Sequence, residues 1–198
     1  MTAVTCDIAI SLDGFVAGPN QSLEAPLGEG AEDRLHRWMF EQPEGNEAEL
    51  KAITSAGAYI MGRNMFSPGR GEWDQGWRGW WGDDPPYHAP VFVLTHHARD
   101  PLPMQGGTTF NFITDGIDSA LQKARDAADG KDVAIAGGAA TINQFLAAGL
   151  IDELRLHLAP VTLGAGERLF EGIGSTDYEQ ITARQTDIVT HLTYRPVR

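Results

Sequence analysis

The chain has 198 residues, of which 42% are hydrophobic, and its formal net charge is −12. This length and composition predict a single domain, residues 1–198, with a substantial apolar core. The negative charge argues against a nucleic-acid-binding protein, because the phosphates of DNA and RNA require a basic face. It leaves open a phosphorylated small molecule, which needs only a few local cations.

Composition also bears on location and on metal binding. No run of about 18 apolar residues indicates a membrane span, and the N-terminal residues lack the basic and apolar segments of a signal peptide. We therefore expect a cytoplasmic protein. The single cysteine, Cys6, excludes an intrachain disulfide and a multi-cysteine zinc site. Its place in an apolar strand favours burial over nucleophilic chemistry.

The first part of the chain alternates between strands and helices. Loose apolar alternation over residues 3–12 predicts a half-buried strand that stops at Asp13 and Gly14. Apolar residues at helical spacing predict helices over residues 28–40 and 47–55. A short apolar strand over residues 58–61 then runs into glycine and arginine.

Residues 67–90, called the tryptophan segment below, form an unusual stretch that is rich in glycine and proline. A loop of this length inside a compact domain is uncommon and is often functional. It holds four of the five tryptophans, which predicts a lid over a flat ligand or a dimer contact, with a self-packed surface loop as the alternative. The four are Trp73, Trp77, Trp80 and Trp81.

The second half of the chain continues the alternation. Residues 91–94 suit a strand buried on both faces, and residues 109–114 predict another strand. Asp115 is placed to cap a helix over residues 117–128. A strand, two glycines and a helix follow over residues 133–146, then a strand over 154–163 and a hairpin over 178–195. This order predicts an α/β fold with a mainly parallel sheet and an antiparallel edge.

Four of the predicted strands end in glycine or cationic residues. Ligands of α/β sheets bind in the crevice outside the carboxyl ends of the strands. Gly137 and Gly138 open a helix whose unpaired N–H groups could hold a pyrophosphate, although a tight turn is the plainer interpretation of that pair alone. Arg63, His96 and Arg99 could hold a monophosphate. The G-x-G-x-x-G fingerprint is absent, so a standard Rossmann dinucleotide site is not predicted.

Five short segments follow one another in a specific order: Ser11-Leu-Asp-Gly-Phe-Val-Ala-Gly18, Met61-Gly-Arg-Asn-Met-Phe66, Val91-Phe-Val-Leu-Thr95, Gly137-Gly138 and Asp152-Glu-Leu-Arg-Leu156. In this order they resemble the dihydrofolate reductase-like superfamily, and most closely the reductase domain of the bifunctional riboflavin-biosynthesis deaminase–reductase and its stand-alone relatives. The resemblance implies a three-layer α/β/α fold with a mostly parallel sheet of about eight strands and an antiparallel C-terminal edge, NADPH as hydride donor, and a homodimer.

The resemblance also implies which residues bind the cofactor. A 2′-phosphate would favour Arg63 with a neighbouring hydroxyl or imidazole, hence NADPH over NADH. The implied set is Ile10, Gly14, Phe15 and Val16 near the nicotinamide, Gly62, Arg63, Asn64 and Met65 at the adenosine diphosphate, Thr95 and His96 at the adenosine ribose, and Ala136, Gly137, Gly138, Ala139, Ala140 and Thr141 at the pyrophosphate.

The catalytic candidates are two carboxylates. Asp33 falls near the place of the buried carboxylate that dihydrofolate reductase carries on its first helix, with Glu32 or a surface helix cap as alternatives. Asp13 is close to the expected nicotinamide loop and is interpreted as a turn residue first and a catalytic residue second. The single cysteine excludes the fused zinc deaminase, whose signature needs two further cysteines.

We therefore predict an NADPH-dependent oxidoreductase that reduces a small planar heterocycle, of the 5-amino-6-(5-phosphoribosylamino)uracil reductase type. A dihydrofolate or pterin reductase is one alternative. A non-catalytic NADPH-binding homodimer is another, and a structural dimer with the tryptophan segment as its interface is a further hypothesis.

Overall fold

The computed structural model describes residues 2–197, with the side chain of residue 32 left out. It contains eleven strands, six α-helices and two short 3-10 helices at Pro43–Gly45 and Gln105–Gly107. The strands are β1 Val4–Ile10, β2 Phe15–Ala17, β3 Ala58–Gly62, β4 Pro90–Leu94, β5 Leu102–Pro103, β6 Thr109–Ile113, β7 Val133–Gly137, β8 Glu153–Leu158, β9 Glu167–Arg168, β10 Tyr178–Gln185 and β11 Thr190–Pro196. The helices are α1 Glu32–Leu35, α2 Arg37–Phe40, α3 Glu47–Ile53, α4 Arg63–Phe66, α5 Gly116–Ala127 and α6 Ala139–Ala147.

Nine of the strands form one sheet in the order β10-β11-β8-β1-β7-β3-β4-β6-β5. The neighbours from β8 to β6 pair in parallel. The C-terminal strands β11 and β10 add an antiparallel edge, which confirms the predicted class of sheet. A ninth strand, the two-residue β5, pairs antiparallel at the opposite edge and was not predicted. The short strands β2 and β9 form a separate two-stranded ribbon.

Both faces of the sheet are covered, which explains the apolar character of its central strands. On one face Ile60 and Ile135 pack with Phe145 of α6 and side chains of α5. On the other face Tyr59 and Met61 pack with aromatic residues that follow α4. Cys6 is fully buried in the first of these clusters, as predicted. Burial also raises the pKa of its thiol, so the group stays protonated and unreactive.

Three local predictions were wrong. The helix expected over residues 28–40 is split at His36, so that Leu35 packs near Ala9 while Trp38 turns to contact His157. The strand expected over residues 154–163 ends at 158, because the proline at position 160 has no N–H for the ladder. Asp115 occupies the N-cap position of α5, but its carboxylate accepts the Ser119 hydroxyl instead of capping the backbone.

The helices are short. The longest, α5, has 12 residues. Within residues 2–197 no helix combines the length and the apolar character that a membrane crossing requires.

Candidate nucleotide-binding cleft

A cavity of about 720 Å³ lies at the carboxyl ends of four neighbouring parallel strands. Gly62, Leu94, Ile113 and Gly137 end β3, β4, β6 and β7, and all four line it. This is the edge where ligands of α/β sheets bind. Strand β2, the loop after it, the end of α2 and the tryptophan segment also line the cavity, through Val16, Ala17, Gln21, Pro26, Leu27, Phe40, Trp80 and Trp81.

The start of α6 forms one wall of the cavity. Gly137 has a φ of 136°, a backbone conformation that side chains disfavour, and its peptide bond to Gly138 is cis. Within the described part of the chain no side chain caps this helix, so its first N–H groups remain available to an anion. The helix comes so close to β3 that a Cβ on Gly62 would lie 2.4 Å from Thr141 Oγ1.

A pair of arginines faces the same cavity. The Arg63 guanidinium donates weakly to the Glu72 carbonyl at 3.4 Å, and Asn64 Oδ1 accepts a hydrogen bond from Arg70. Burial, followed by the neighbouring positive charge of Arg70, lowers the pKa of Arg63. The buried Arg63 Nε has no hydrogen-bond partner among the described residues. Two guanidinium groups that repel each other, with one donor unsatisfied, favour an anion between them.

The turn after β4 completes this wall. Thr95 Oγ1 accepts the His97 backbone N–H at 3.1 Å, and this local bond fixes the turn. His97 Nδ1 lies 3.2 Å from a carboxylate oxygen of Glu72, and His96 is exposed at the cavity. The wall thus presents a hydroxyl and two imidazoles near the arginine pair.

Most of the residues predicted to bind the cofactor meet in this one cavity. The members that line it are Val16, Gly62, Arg63, Asn64, Met65, Thr95, His96, Ala136, Gly137, Gly138, Ala139, Ala140 and Thr141. Ile10, Gly14 and Phe15 do not line it, and Ile10 and Phe15 are buried. Arg99 does not line the cavity either, because its guanidinium donates to the carbonyls of Gln75 and Trp77 inside the tryptophan segment.

Neither catalytic candidate lines the cavity. The Asp13 carboxylate accepts the Ser11 hydroxyl at 2.6 Å and the backbone N–H groups of Leu163 and Gly164. These bonds, the Ser11 bond first, lower the pKa of Asp13 to about 2, so this carboxylate stays ionised and cannot donate a proton near neutral pH. Asp33 is exposed on α1. The placement favours the turn interpretation for Asp13 and a surface position for Asp33.

The tryptophan segment is well packed. Trp73 is 7% exposed and donates its Nε1–H to the His97 carbonyl at 2.7 Å, and Trp77 donates to the Phe66 carbonyl at 2.8 Å. Trp80 and Trp81 line the cavity. Trp80 and Trp81 thus belong to the cavity wall, while Trp73 and Trp77 are held by contacts within the protein, as the self-packed alternative expects; the lid and the dimer contact both stay predictions.

Several cavity residues escaped the sequence interpretation. Arg70 lies in the tryptophan segment. The sequence offered one signal for it, its position seven residues after the cationic residue Arg63. Gln144 lies one turn after Thr141 on α6, so helical spacing could have found it. Glu167 follows a turn between glycines and has no sequence signal of its own.

Among residues 2–197, no three His, Cys, Asp or Glu side chains are grouped so that they could hold a metal ion.

The sheet order, the doubly covered core and the cleft at the strand ends define a domain of the dihydrofolate reductase-like fold. The model of the RibD C-terminal domain family matches residues 2–192. The chain therefore belongs to that family of riboflavin-biosynthesis reductase domains.

Individual relatives agree with this assignment. The Bacillus subtilis (strain 168) protein YyaP, described as uncharacterized, is 25% identical over 177 residues, which cover 84% of this chain and 79% of YyaP. A crystal structure from Shewanella sp. PV-4, provisionally described as a riboflavin biosynthesis protein, is 25% identical with a TM-score of 0.68, and each chain is covered completely.

Two longer proteins share the fold at lower identity. The Thermotoga maritima diaminohydroxyphosphoribosylaminopyrimidine deaminase/5-amino-6-(5-phosphoribosylamino)uracil reductase is 16% identical with a TM-score of 0.59. RibD of Acinetobacter baumannii is 18% identical with a TM-score of 0.61. This chain is covered to 99% and 100%, but it spans only 57% and 58% of those two proteins.

Proposed function

We propose that this chain is an NADPH-dependent reductase of a small planar heterocycle. The observation that carries the proposal is the Arg63–Arg70 pair on the wall of the strand-end cavity. The charge of Arg70 disfavours the charged form of Arg63 by more than the Glu72 carboxylate favours it, so an anion bound at the arginine pair would be stabilising. The 2′-phosphate of NADPH is such an anion, and NADH lacks it.

Other groups in the cavity support the proposal for the rest of the cofactor. The uncapped start of α6 suits a pyrophosphate, because unpaired N–H groups and the helix dipole favour negative charge. Thr95 and His96 offer polar groups for a ribose beside the arginine pair. When bound, NADPH supplies the hydride, and the protein supplies orientation and electrostatics. In this proposal the residues of β2 and the tryptophan segment exclude water from the reacting rings.

The cavity wall suits a flat, ring-containing substrate. Phe40 is 79% exposed at the cavity, and such a ring is stabilised by stacking against another planar group. The name of the Thermotoga protein supports 5-amino-6-(5-phosphoribosylamino)uracil as the first substrate to test. Dihydrofolate tests the pterin alternative.

A homodimer, implied by the family resemblance, is proposed on that ground and is tested by light scattering of the purified protein.

The experiment is to mix the protein with NADPH and each substrate and to follow the absorbance of the reduced nicotinamide. We expect oxidation of NADPH that depends on the pyrimidine and is slower with dihydrofolate. An increase in melting temperature with NADPH, without oxidation in the presence of either compound, would favour the non-catalytic alternative. Failure of NADPH to bind at all would contradict the proposal.

A further inference from the structure

Glu167 is the only carboxylate among the described residues that line the cavity. It belongs to β9, which pairs with β2, and its partner in the register is Ala17, also a cavity residue. The cavity therefore has one acidic position, which neither the sequence motifs nor the proposed phosphate contacts account for.

The backbone around Glu167 is held firmly. The neighbouring Arg168 donates from Nη1 to the Asp13 carbonyl at 2.9 Å, and its guanidinium carbon lies 4.2 Å from the centre of the Phe15 ring. The Arg168 carbonyl accepts Asn143 Nδ2 of α6 at 3.0 Å, and the next backbone N–H donates to the Gly14 carbonyl at 3.0 Å. A side chain carried on a backbone fixed from both sides is well placed for recognition.

Glu167 is exposed, and among residues 2–197 no hydrogen bond or ion pair joins its side chain to another residue, so its carboxylate is free to accept from a ligand. The carboxylates of Glu49 and Glu153, by contrast, are both paired with arginines. An ionised carboxylate is only an acceptor. Gln144, which also lines the cavity, donates one amide N–H to the Ala140 carbonyl, and its Oε1 can serve as a second acceptor. This part of the wall therefore offers acceptors to whatever lies in the cavity.

We propose that Glu167 accepts a hydrogen bond from a hydroxyl or N–H group of the molecule in the cavity, and so selects a ligand with a donor at that point. The inference rests on the proposed function and deepens it. Two sources carry this chemistry: the ribose hydroxyls of the cofactor, and the ring N–H or amino groups of an aminopyrimidine substrate. In both cases the phosphates are assigned to Arg63, Arg70 and the start of α6.

The test compares E167Q and E167A with the wild type, and uses E171Q as the control, because Glu171 is an exposed glutamate nearby that does not line the cavity. The dissociation constant of NADPH is measured by fluorescence titration, and KM and kcat are measured with 5-amino-6-(5-phosphoribosylamino)uracil. Loss of a hydrogen bond to a charged group is expected to weaken the affected ligand by about tenfold or more. E167Q, which keeps one acceptor, is expected to lose less than E167A.

The outcome also identifies the source of the donor. A raised Kd for NADPH places the donor on the cofactor, and a raised KM with an unchanged NADPH Kd places it on the substrate. Since the side chain has no partner, the melting temperature of the ligand-free variants should match the wild type. If both constants stay within twofold of the wild type in E167A, the inference is wrong. If the wild type does not bind NADPH, the proposed function fails first.

Discussion

The guanidinium carbon of Arg63 lies 3.9 Å from the centre of the Trp73 indole ring. The same indole donates its N–H to the carbonyl of His97, in the turn that follows β4. A cation over the face of a tryptophan is attracted by the ring quadrupole. Trp73 therefore holds the candidate phosphate-binding arginine and the turn at His97 as one unit.

This stack leads to the first prediction. Trp73→Leu removes the aromatic face and is expected to weaken NADPH binding by about 1 kcal/mol, the range of an exposed cation–π contact. Trp73→Phe keeps a ring under Arg63 and should lose less. Isothermal titration of both variants with NADPH measures the effect. Equal affinity for NADPH in the folded leucine variant and the wild type would show that the stack does not position Arg63.

The close approach of β3 and α6 leads to the second prediction. Gly62→Ala places a Cβ against the Thr141 hydroxyl and should reduce the free energy of unfolding by about 1–3 kcal/mol. The double variant Gly62→Ala/Thr141→Ala removes the opposing oxygen and should recover much of that loss. Gly45→Ala is the control, because its added Cβ would meet no atom within 4 Å. Urea denaturation measures all three, and a double variant no more stable than Gly62→Ala would contradict the account.

Arg99 anchors the tryptophan segment and gives the third prediction. Its Nη2 donates to the carbonyls of Gln75 at 3.2 Å and Trp77 at 2.7 Å. Arg99→Ala leaves these carbonyls without their charged donor, and we expect a loss of about 1.5–3 kcal/mol in unfolding free energy. Limited proteolysis should then cut within residues 67–89. Arg78→Ala, which removes an exposed arginine 4.0 Å from Asp83, should have little effect on either measurement.

Acid sensitivity is the fourth prediction. Burial, followed by the charge of His157, lowers the pKa of His191 to about 4, and the same two causes lower the pKa of His36 to about 4. His191 Nδ1 lies 2.8 Å from His157 Nδ1, and its Nε2 lies 2.8 Å from Asn46 Oδ1; the charges of Glu49 and Arg184 act on it with opposite signs.

The direction of the pH dependence of stability follows from these pKa values. A histidine whose folded pKa lies below its unfolded value near 6.5 stabilises the fold above that value, and the stabilisation is lost as the pH falls towards 4. Between about pH 7 and pH 5 we expect a loss on the order of 2 kcal/mol per histidine in unfolding free energy. His191→Gln should reduce the pH dependence measured by urea denaturation. A stability independent of pH over this interval would contradict the buried neutral state.

The sequence could predict those features that depend on short-range patterns. Apolar runs located the central strands, and glycines at the ends of β3 and β7 located the cavity edge, because tight approaches of backbone require small residues. The C-terminal hairpin also follows from pattern alone. The residues at these strand ends meet in one cavity, as parallel topology requires.

Features that depend on tertiary contacts were missed. The break at His36 arises because Leu35 and Trp38 pack against different partners, and no helical spacing reveals that choice. Asp13 was interpreted as a turn residue first and a catalytic residue second, but its partners Leu163 and Gly164 lie far along the chain and no local pattern reveals them. Glu167 enters the cavity only because β9 pairs with β2.

The most direct measurement of the central claim is the affinity of the wild type and Arg63→Ala for NADPH and for NADH. Arg37→Ala is the matched control, since that arginine is exposed and paired with Glu41 outside the cavity. We predict tighter binding of NADPH than of NADH by the wild type. Arg63→Ala should weaken NADPH by about 1.5–3 kcal/mol and leave NADH nearly unaffected. Equal losses for the two cofactors, or tighter binding of NADH, would contradict the assignment of Arg63 to the 2′-phosphate.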